Sequence, residues 1–120
     1  MNKIIIPGEL PGMNEITGSS SAGWQGYAKI KKQYTELVAW NAKTQIKNKL
    51  KYIDIDITWV CKNKRRDKDN ISAGVKFILD GLVEASIIEN DGWKQINNIY
   101  HHFRVDKNNP SVIVKLTEVK

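Results

Sequence analysis

Residues 52–60 read YIDIDITWV, in which apolar and polar side chains alternate. One set of alternate residues is apolar: Ile53, Ile55, Ile57 and Trp59. The other set is polar: Asp54, Asp56 and Thr58. Successive side chains of an extended strand point to opposite faces. The stretch therefore predicts a β-strand with one buried face and one polar face.

An amphipathic helix is predicted on each side of this strand. Residues 27–50 carry an apolar stripe at three- and four-residue spacings: Ile30, Tyr34, Leu37, Val38 and Ile46. Residues 71–85 carry a second stripe: Ile71, Val75, Ile78, Leu79 and Leu82. Asp69 or Asn70 stands where it would cap the second helix.

The remaining segments complete one domain, residues 1–120. Lys3–Ile6 is predicted as a short strand, and about residues 8–26, rich in Gly, Ser and Pro, as a long mobile loop. Gln95–Val105 and Ser111–Val119 are predicted to form a hairpin through the turn DKNNP. The order β-α-β-α-β-β indicates an α/β (α+β) fold, a mixed sheet of about four strands with two main helices packed on it.

The composition narrows the class of partner. Nineteen Lys and Arg against thirteen Asp and Glu give a net charge of +6, which favours nucleic acid first and an anionic membrane surface second. Charge that serves only solubility is the alternative. A single cysteine, Cys61, excludes an intrachain disulfide and a zinc cage and suits a reducing cytosol. The apolar run Ile4–Ile6 is too short for a signal peptide or a membrane span.

The stretch KNKRRDKDN at residues 62–70 is predicted as an exposed loop. It mixes Asp67 and Asp69 with five cations: Lys62, Lys64, Arg65, Arg66 and Lys68. The two carboxylates could converge on one Mg²⁺, a hard cation that prefers oxygen ligands, while the cations hold DNA phosphates. Helix capping explains one aspartate equally well, and the spacing leaves both interpretations open.

Three further features have two interpretations each. Asp54 and Asp56 are either a competing carboxylate pair or the solvated face of the strand, which is the preferred interpretation. Lys76 either pairs with Asp80 four residues on or contacts the scissile phosphate. Asp91 is either an ordinary turn residue before Gly92 or a third metal ligand. In the second case Glu89 could take its place.

Aromatic and basic residues also occur together near the predicted mobile loop. Trp24 and Tyr27 precede the cations Lys29, Lys31 and Lys32, a combination that suits stacking on unpaired bases and contact with phosphates. Trp24 as an anchor on the core is the alternative. His101 and His102 are adjacent, so they would point to opposite faces of a strand and are interpreted as structural.

Four segments together resemble the RusA-like Holliday junction resolvases. They are IIIPGELPGMNE at residues 4–15, RRDKDN at 65–70, KFILDGL at 76–82 and IIENDGWKQI at 87–96. The resemblance covers nearly the whole chain and is strongest from Arg65 to Ile96. Two departures stand out. Five residues separate Asn70 from Lys76 where the family has about two, and Asn90 replaces the first of two adjacent acids.

The resemblance implies a homodimeric endodeoxyribonuclease that depends on Mg²⁺, or on Mn²⁺ in its place. Such enzymes resolve four-way DNA junctions by paired symmetric nicks during DNA recombination and repair, in the cytoplasm of bacteria or encoded by a phage or prophage. The implied catalytic residues are Asp67, Asp69, Lys76 and Asp91, and the three aspartates are the implied metal ligands. The expected DNA contacts are Lys62, Lys64, Arg65, Arg66, Lys68, Asn14, Lys31 and Lys32. No membrane and no small-molecule cofactor is expected.

Two other functions stay open at this point. A non-catalytic basic DNA-binding module would use the acids only to cap and shape the loop, and would bind DNA in a salt-sensitive way without cutting it. A structural or protein-interaction domain would carry its charge incidentally and would show no preference for branched DNA.

Overall fold

The computed structural model describes residues 2–21 and 23–120; the side chains at positions 19–21 and 24 lie outside the described part. The interpretation of Trp24 as a base-stacking or core-anchoring side chain therefore falls outside it. The elements in chain order are β1 (Asn2–Pro7), α1 (Met13–Ser21), α2 (Trp24–Gln45), β2 (Ile53–Cys61), α3 (Lys68–Ser72), α4 (Val75–Glu84), β3 (Ile96–Val105) and β4 (Ser111–Glu118). Within the described residues, four strands form one mixed sheet in the order β1-β4-β2-β3. This confirms the predicted fold class.

Strand β2 is central in the sheet, with β4 on one side and β3 on the other. Its predicted apolar face is buried, and it packs with the inward residues of β1 and β4. Those residues are Ile4, Ile6, Val112, Val114 and Leu116. Helices α2 and α4 cover this face and contact each other closely at Gly81, where an added Cβ would lie 2.5 Å from Val38 Cγ1. The alternation in residues 52–60 is thereby confirmed.

The predicted hairpin of the last two strands is wrong. β3 pairs with β2 in parallel, whereas β4 pairs antiparallel with both β1 and β2. The turn itself forms as its residues indicate, because Asp106 Oδ1 accepts hydrogen bonds from the backbone N–H groups of Asn108 and Asn109. The chain then crosses the end of β2, where the Asp106 N–H donates to the Cys61 carbonyl at 2.9 Å. A turn signal specifies the local bend but not the strand that pairs next.

The prediction of a loop over about residues 8–26 is also wrong, because helix α1 and the start of α2 occupy most of this range. Gly18 and the serines are poor helix formers, so the sequence alone predicted a loop. Helix α1 contacts α2, and Ile16 packs against the core. Tertiary packing of one apolar side chain thus supplies stability that intrinsic propensity does not.

The predicted helix over residues 71–85 is divided into α3 and α4. The break falls at Gly74, where an added Cβ would lie 3.2 Å from the Pro11 carbonyl oxygen and from the Trp59 ring. The N-cap position of α3 is held by Asp67, without a side-chain cap hydrogen bond, rather than by Asp69 or Asn70. Across the described residues, no helix is long and apolar enough to cross a membrane.

Candidate nucleic-acid interface

A cleft of about 910 Å³ opens at the carboxyl ends of β2 and β3. Parallel pairing places Cys61 at the end of β2 beside Val105 at the end of β3, and the loop that follows β2 forms the other wall. The cleft is lined by Cys61, Asn63, Lys64, Arg66, Asp67, Lys68, Asp69, Ile71, Phe103, Arg104 and Val105. The basic loop predicted from the sequence therefore borders a concave site rather than a flat surface.

Both aspartates of the loop line this cleft. Asp67 immediately precedes α3, and Asp69 lies in the first turn of that helix. Both side chains are exposed, and Asp69 Oδ1 accepts a hydrogen bond from the Asn70 backbone N–H at 2.9 Å. The amino terminus of a short helix thus positions two carboxylates toward one opening.

Three cations line the same cleft with exposed side chains: Lys64, Lys68 and Arg104. The ammonium group of Lys68 lies 5.5 Å from the centroid of the Phe103 ring, within the range of a cation–π contact. Lys62 and Arg65 are exposed in the same loop. Positive charge therefore surrounds the two carboxylates, as a phosphate backbone would require.

Arg66 differs from the other loop cations because its guanidinium group is already engaged. It donates to the Leu10 carbonyl at 3.0 Å and to Glu15 Oε1 at 3.2 Å, and it lies 3.6 Å from Glu9. These contacts attach the segment after β1 to the cleft wall. The charge of Arg66 is thus compensated within the chain, and its expected phosphate contact stays a prediction.

The structure brings Asn14 next to the cleft but does not bring Lys31 and Lys32 into its lining. The Asn14 backbone N–H donates to Asn70 Oδ1 at 2.7 Å, one residue beyond Asp69. Lys31 and Lys32 are exposed on α2 and do not line the cleft. Asn14 is not part of the cleft lining either, so all three expected DNA contacts stay predictions.

Lys76 makes the ion pair that its spacing indicates. Its Nζ atom lies 4.0 Å from Asp80 Oδ2 on the same helix, and its side chain is 45% exposed. Lys76 does not line the cleft. A catalytic contribution from Lys76 stays a prediction that this geometry does not strengthen.

Asp91 lies at the opposite end of the sheet from Asp67 and Asp69. It is exposed in the turn before β3, where it lines a small hollow with Gly92, Trp93, Ile96 and Asn97. Because β2 and β3 are parallel and β3 has ten residues, the turn and the cleft are separated by roughly 30 Å along the strands. A single chain therefore does not assemble Asp67, Asp69 and Asp91 around one metal ion.

Asp67 and Asp69 fit a metal site that substrate phosphates and water complete, but not a site made of three protein carboxylates. Among the described residues, no group of three His, Cys, Asp or Glu side chains could hold a metal ion. Mg²⁺, however, is often bound by one or two carboxylates together with substrate phosphates and water. Asp67 and Asp69 fit that mode, whereas a three-carboxylate site within one chain is excluded by the geometry.

The competing pair on β2 has structural partners, in agreement with the preferred interpretation. Asp54 Oδ1 accepts hydrogen bonds from Asn97 Nδ2 at 2.9 Å and from the Asn98 N–H at 3.1 Å. Asp56 Oδ1 lies 3.3 Å from His102 Nε2. These contacts join β2 to β3 on the polar face of the sheet.

Two titratable groups near the cleft are held neutral. Burial, followed by the charge of Glu9, raises the pKa of the Cys61 thiol, so the thiolate nucleophile is disfavoured. Burial, followed by the charge of His102, lowers the pKa of His101. His101 Nδ1 accepts a hydrogen bond from Trp59 Nε1 at 2.9 Å, which fixes its neutral tautomer. Neither group brings charge to the cleft.

Sequence reasoning missed Phe103 and Arg104, which line the cleft from β3. The sequence predicted that β3 pairs with β4. Nothing in that prediction placed the residues of β3 beside the loop that follows β2. No protein-family model matches the chain, and no curated protein matches it significantly. The likeness to the RusA-like resolvases therefore remains a resemblance of sequence segments.

Proposed function

We propose that the chain is a RusA-like, Mg²⁺-dependent endodeoxyribonuclease that resolves four-way DNA junctions by paired nicks. The observation that carries this proposal is the cleft in which Asp67 and Asp69 stand among Lys64, Lys68 and Arg104. In a DNA-binding surface without chemistry, exposed carboxylates among the cations would weaken binding, since carboxylates repel phosphate. Metal-assisted hydrolysis needs both charges.

The exposed charged residues of the loop have distinct roles in this mechanism. Lys64 and Lys68 bind the backbone phosphates that flank the cut. Asp67 and Asp69 would hold Mg²⁺ together with phosphate oxygens, and the bound ion supplies Lewis-acid polarisation and a more acidic water. The hydrogen bond from the Asn70 N–H restricts the orientation of the Asp69 carboxylate.

The biological setting belongs to the same proposal. A homodimer would match the two-fold symmetry of a four-way junction and place one cleft on each nicked strand. The process served would be DNA recombination and repair in a bacterial cytoplasm, from a chromosomal, prophage or phage gene. Lys76 would assist from α4 only if DNA binding moved that helix end toward the cleft.

A specific observation favours a second function, a basic DNA-binding module without catalysis. Asp91 and Lys76, two of the four implied catalytic residues, lie outside the cleft. In that case Asp67 and Asp69 would serve the start of α3, where negative charge stabilises the helix dipole. The module would bind DNA with strong salt dependence and would not cut it.

The experiment that separates these functions uses a labelled four-way junction and a linear duplex of the same sequence, each with Mg²⁺ or EDTA. The resolvase predicts nicks in the junction only, with Mg²⁺ only. We expect Asp67→Asn to lower the nicking rate at least about a hundredfold, because several kcal/mol of transition-state stabilisation would be lost. Asp56→Asn, a partly exposed carboxylate of the other Asp-x-Asp pair, is the matched control and should retain activity. Binding without nicking by the wild type would establish the module instead.

A further inference from the structure

The two edge strands of the sheet, β1 and β3, differ in how their outward backbone groups are protected. At the β1 edge, Gln45 Oε1 accepts a hydrogen bond from the Ile5 N–H at 2.8 Å, and Gln45 Nε2 donates to the Ile5 carbonyl at 3.0 Å. The side-chain amide thus satisfies the two backbone groups that a further strand would need at this position. Native proteins protect sheet edges in such ways, because exposed edges pair with other chains.

The β3 edge has a long segment with a regular conformation. A bulge at Asn97 and Asn98, held by Asp54, shifts the register at the start of β3. From Ile99 to Val105 the strand keeps a continuous register with β2, and in the described part of the chain it has a neighbour on one side only. Ile99, Tyr100 and Val105 are 36%, 44% and 45% exposed. Exposed apolar side chains on a long free edge indicate a site for strand pairing.

We propose that a second copy of the chain pairs antiparallel along Ile99–Val105, with His102 on the two-fold axis. A symmetric pair that uses all seven residues must be centred on the fourth, which is His102. Directly opposite residues then share a face, as the pleat requires. Exposed Ile99 would lie opposite Val105 of the partner subunit, and Tyr100 opposite Arg104 of the partner subunit, which suits a cation–π contact.

Charge complementarity supports a second copy as the occupant. Antiparallel pairing exchanges the ends of the strands, so the turn that precedes β3 in one subunit approaches the cleft end of the other. That turn carries Glu89, Asp91 and the 96% exposed Trp93 beside one cation, Lys94, while the opposite end of β3 carries exposed Arg104 and Lys107. In the proposed dimer the acidic turn would face this basic end twice, and Trp93 would gain a surface to cover.

This arrangement also accounts for the distance between Asp91 and the other acids. Within one chain they lie at opposite ends of the sheet, whereas in the proposed dimer the partner's Asp91 would lie at the same end as Asp67 and Asp69. Only this last consequence rests on the proposed nuclease function; the interface itself does not.

A disulfide cross-link tests the register without any measurement of activity. His102→Cys should form a covalent dimer on mild oxidation with copper phenanthroline, since each thiol would face its own copy at the axis. Tyr100→Cys is the register control, because its two copies would lie roughly 13 Å apart along the strands and would not cross-link. The native Cys61 is 5% exposed and should not react. Efficient cross-linking of Tyr100→Cys, or none by His102→Cys, would overturn the proposed register.

Sedimentation equilibrium tests the edge itself. The wild type should be a dimer, and Tyr100→Lys should raise the dimer dissociation constant by about tenfold or more, because it adds a like charge opposite Arg104 twice. Ile5→Lys is the matched control: Ile5 is also 44% exposed but lies on the protected β1 edge, so its dimer should be unchanged. A monomeric wild type, or a dimer disrupted by Ile5→Lys and not by Tyr100→Lys, would refute the interface.

Discussion

Asn70 Oδ1 accepts a hydrogen bond from the Asn14 backbone N–H at 2.7 Å and so joins two segments 56 residues apart in sequence. Asn70 is buried, and an added Cβ on Gly12 would lie 2.5 Å from its carbonyl oxygen. The segment after β1 is therefore packed directly on the helix that carries Asp69. Its position and the geometry of the cleft depend on each other.

We expect Asn70→Ala to lower the free energy of unfolding by about 1–2 kcal/mol, because one buried acceptor and its packing are lost. Asn70→Asp retains an oxygen that can accept the hydrogen bond, but it buries a carboxylate beside Asp69, so its cost should decrease as the pH is lowered and the carboxylate is protonated. Urea denaturation monitored by tryptophan fluorescence, at neutral and at acidic pH, measures both variants. A loss in Asn70→Asp that stays equal to that in Asn70→Ala at acidic pH would show that the hydrogen bond to Asn14 contributes little.

Arg65 and Arg66 are adjacent and should have separable roles. Arg66 contacts Leu10, Glu9 and Glu15, so Arg66→Ala should lower stability by about 1 kcal/mol, a value reduced by the partial exposure of these pairs. Arg65 is exposed, so Arg65→Ala should leave stability unchanged. It should instead weaken DNA binding, and the slope of log K against log salt concentration should become shallower by about one.

The measurements for this pair are urea denaturation and a salt titration of DNA binding by fluorescence anisotropy. A stability loss in Arg65→Ala equal to that in Arg66→Ala would contradict the assignment. So would an unchanged salt slope in Arg65→Ala, since that residue would then make no phosphate contact.

Gly81 permits the close approach of α4 to α2. An added Cβ would lie 2.5 Å from Val38 Cγ1 and 3.1 Å from the Ala39 nitrogen. Gly81→Ala should therefore destabilise the protein by about 1–3 kcal/mol, the usual cost of overpacking a core contact. Gly18→Ala on α1 is the control, because a Cβ there meets nothing within 4 Å and alanine favours helix. Thermal unfolding by circular dichroism measures both, and a stabilised Gly81→Ala would disprove the close contact.

The sequence predicted elements better than their arrangement. Residues 52–60 revealed their buried face because the alternation of Ile and Asp is a local consequence of the pleat. The partner of β4 was not predictable from the turn at Asp106–Pro110, since the same bend serves a hairpin or a crossing over β2. Helix α1 was missed because Gly18 and its serines lack helix propensity, and the packing of Ile16 acts only in the folded chain.

In the candidate site, too, the residues that are close in sequence were predicted and those brought together by the fold were not. Asp67, Asp69 and the loop cations were found because they are contiguous in sequence. The position of Asp91 was predicted wrongly within one chain, since helix α4 returns it to the start of β3 rather than to the cleft. Phe103 and Arg104 reach the cleft only through the parallel pairing of β3 with β2, which no local pattern encodes.

His101 should make stability depend on pH. Burial lowers its pKa below the ordinary value of 6.5, so the unfolded chain takes up a proton that the folded chain resists. Stability is therefore fully present above pH 6.5 and decreases as the pH falls below it. His101→Gln should flatten this decrease, while its amide oxygen can still accept from Trp59 Nε1.

Urea denaturation at a series of pH values measures this slope. His102→Gln is the comparison, because it removes only the smaller of the two causes that lower the His101 pKa and should leave most of the His101 contribution in place. A slope unchanged in His101→Gln would assign the acid sensitivity to other groups.

The dimer and the nuclease together predict complementation between two inactive variants. Asp67→Asn and Asp91→Asn should each abolish junction nicking as homodimers. If the partner's Asp91 serves the cleft, a mixed dimer combines an intact Asp67 and Asp69 from one subunit with an intact Asp91 from the other. Equal mixing after co-refolding should then restore about a quarter of the wild-type sites, since half of the dimers are mixed and each has one complete site. Nicking of one labelled strand measures this recovery. If Asp91 instead served the cleft of its own subunit, each site of a mixed dimer would carry one of the two substitutions and every mixed dimer would be inactive. No recovery would therefore place Asp91 outside the partner's cleft even if the interface forms.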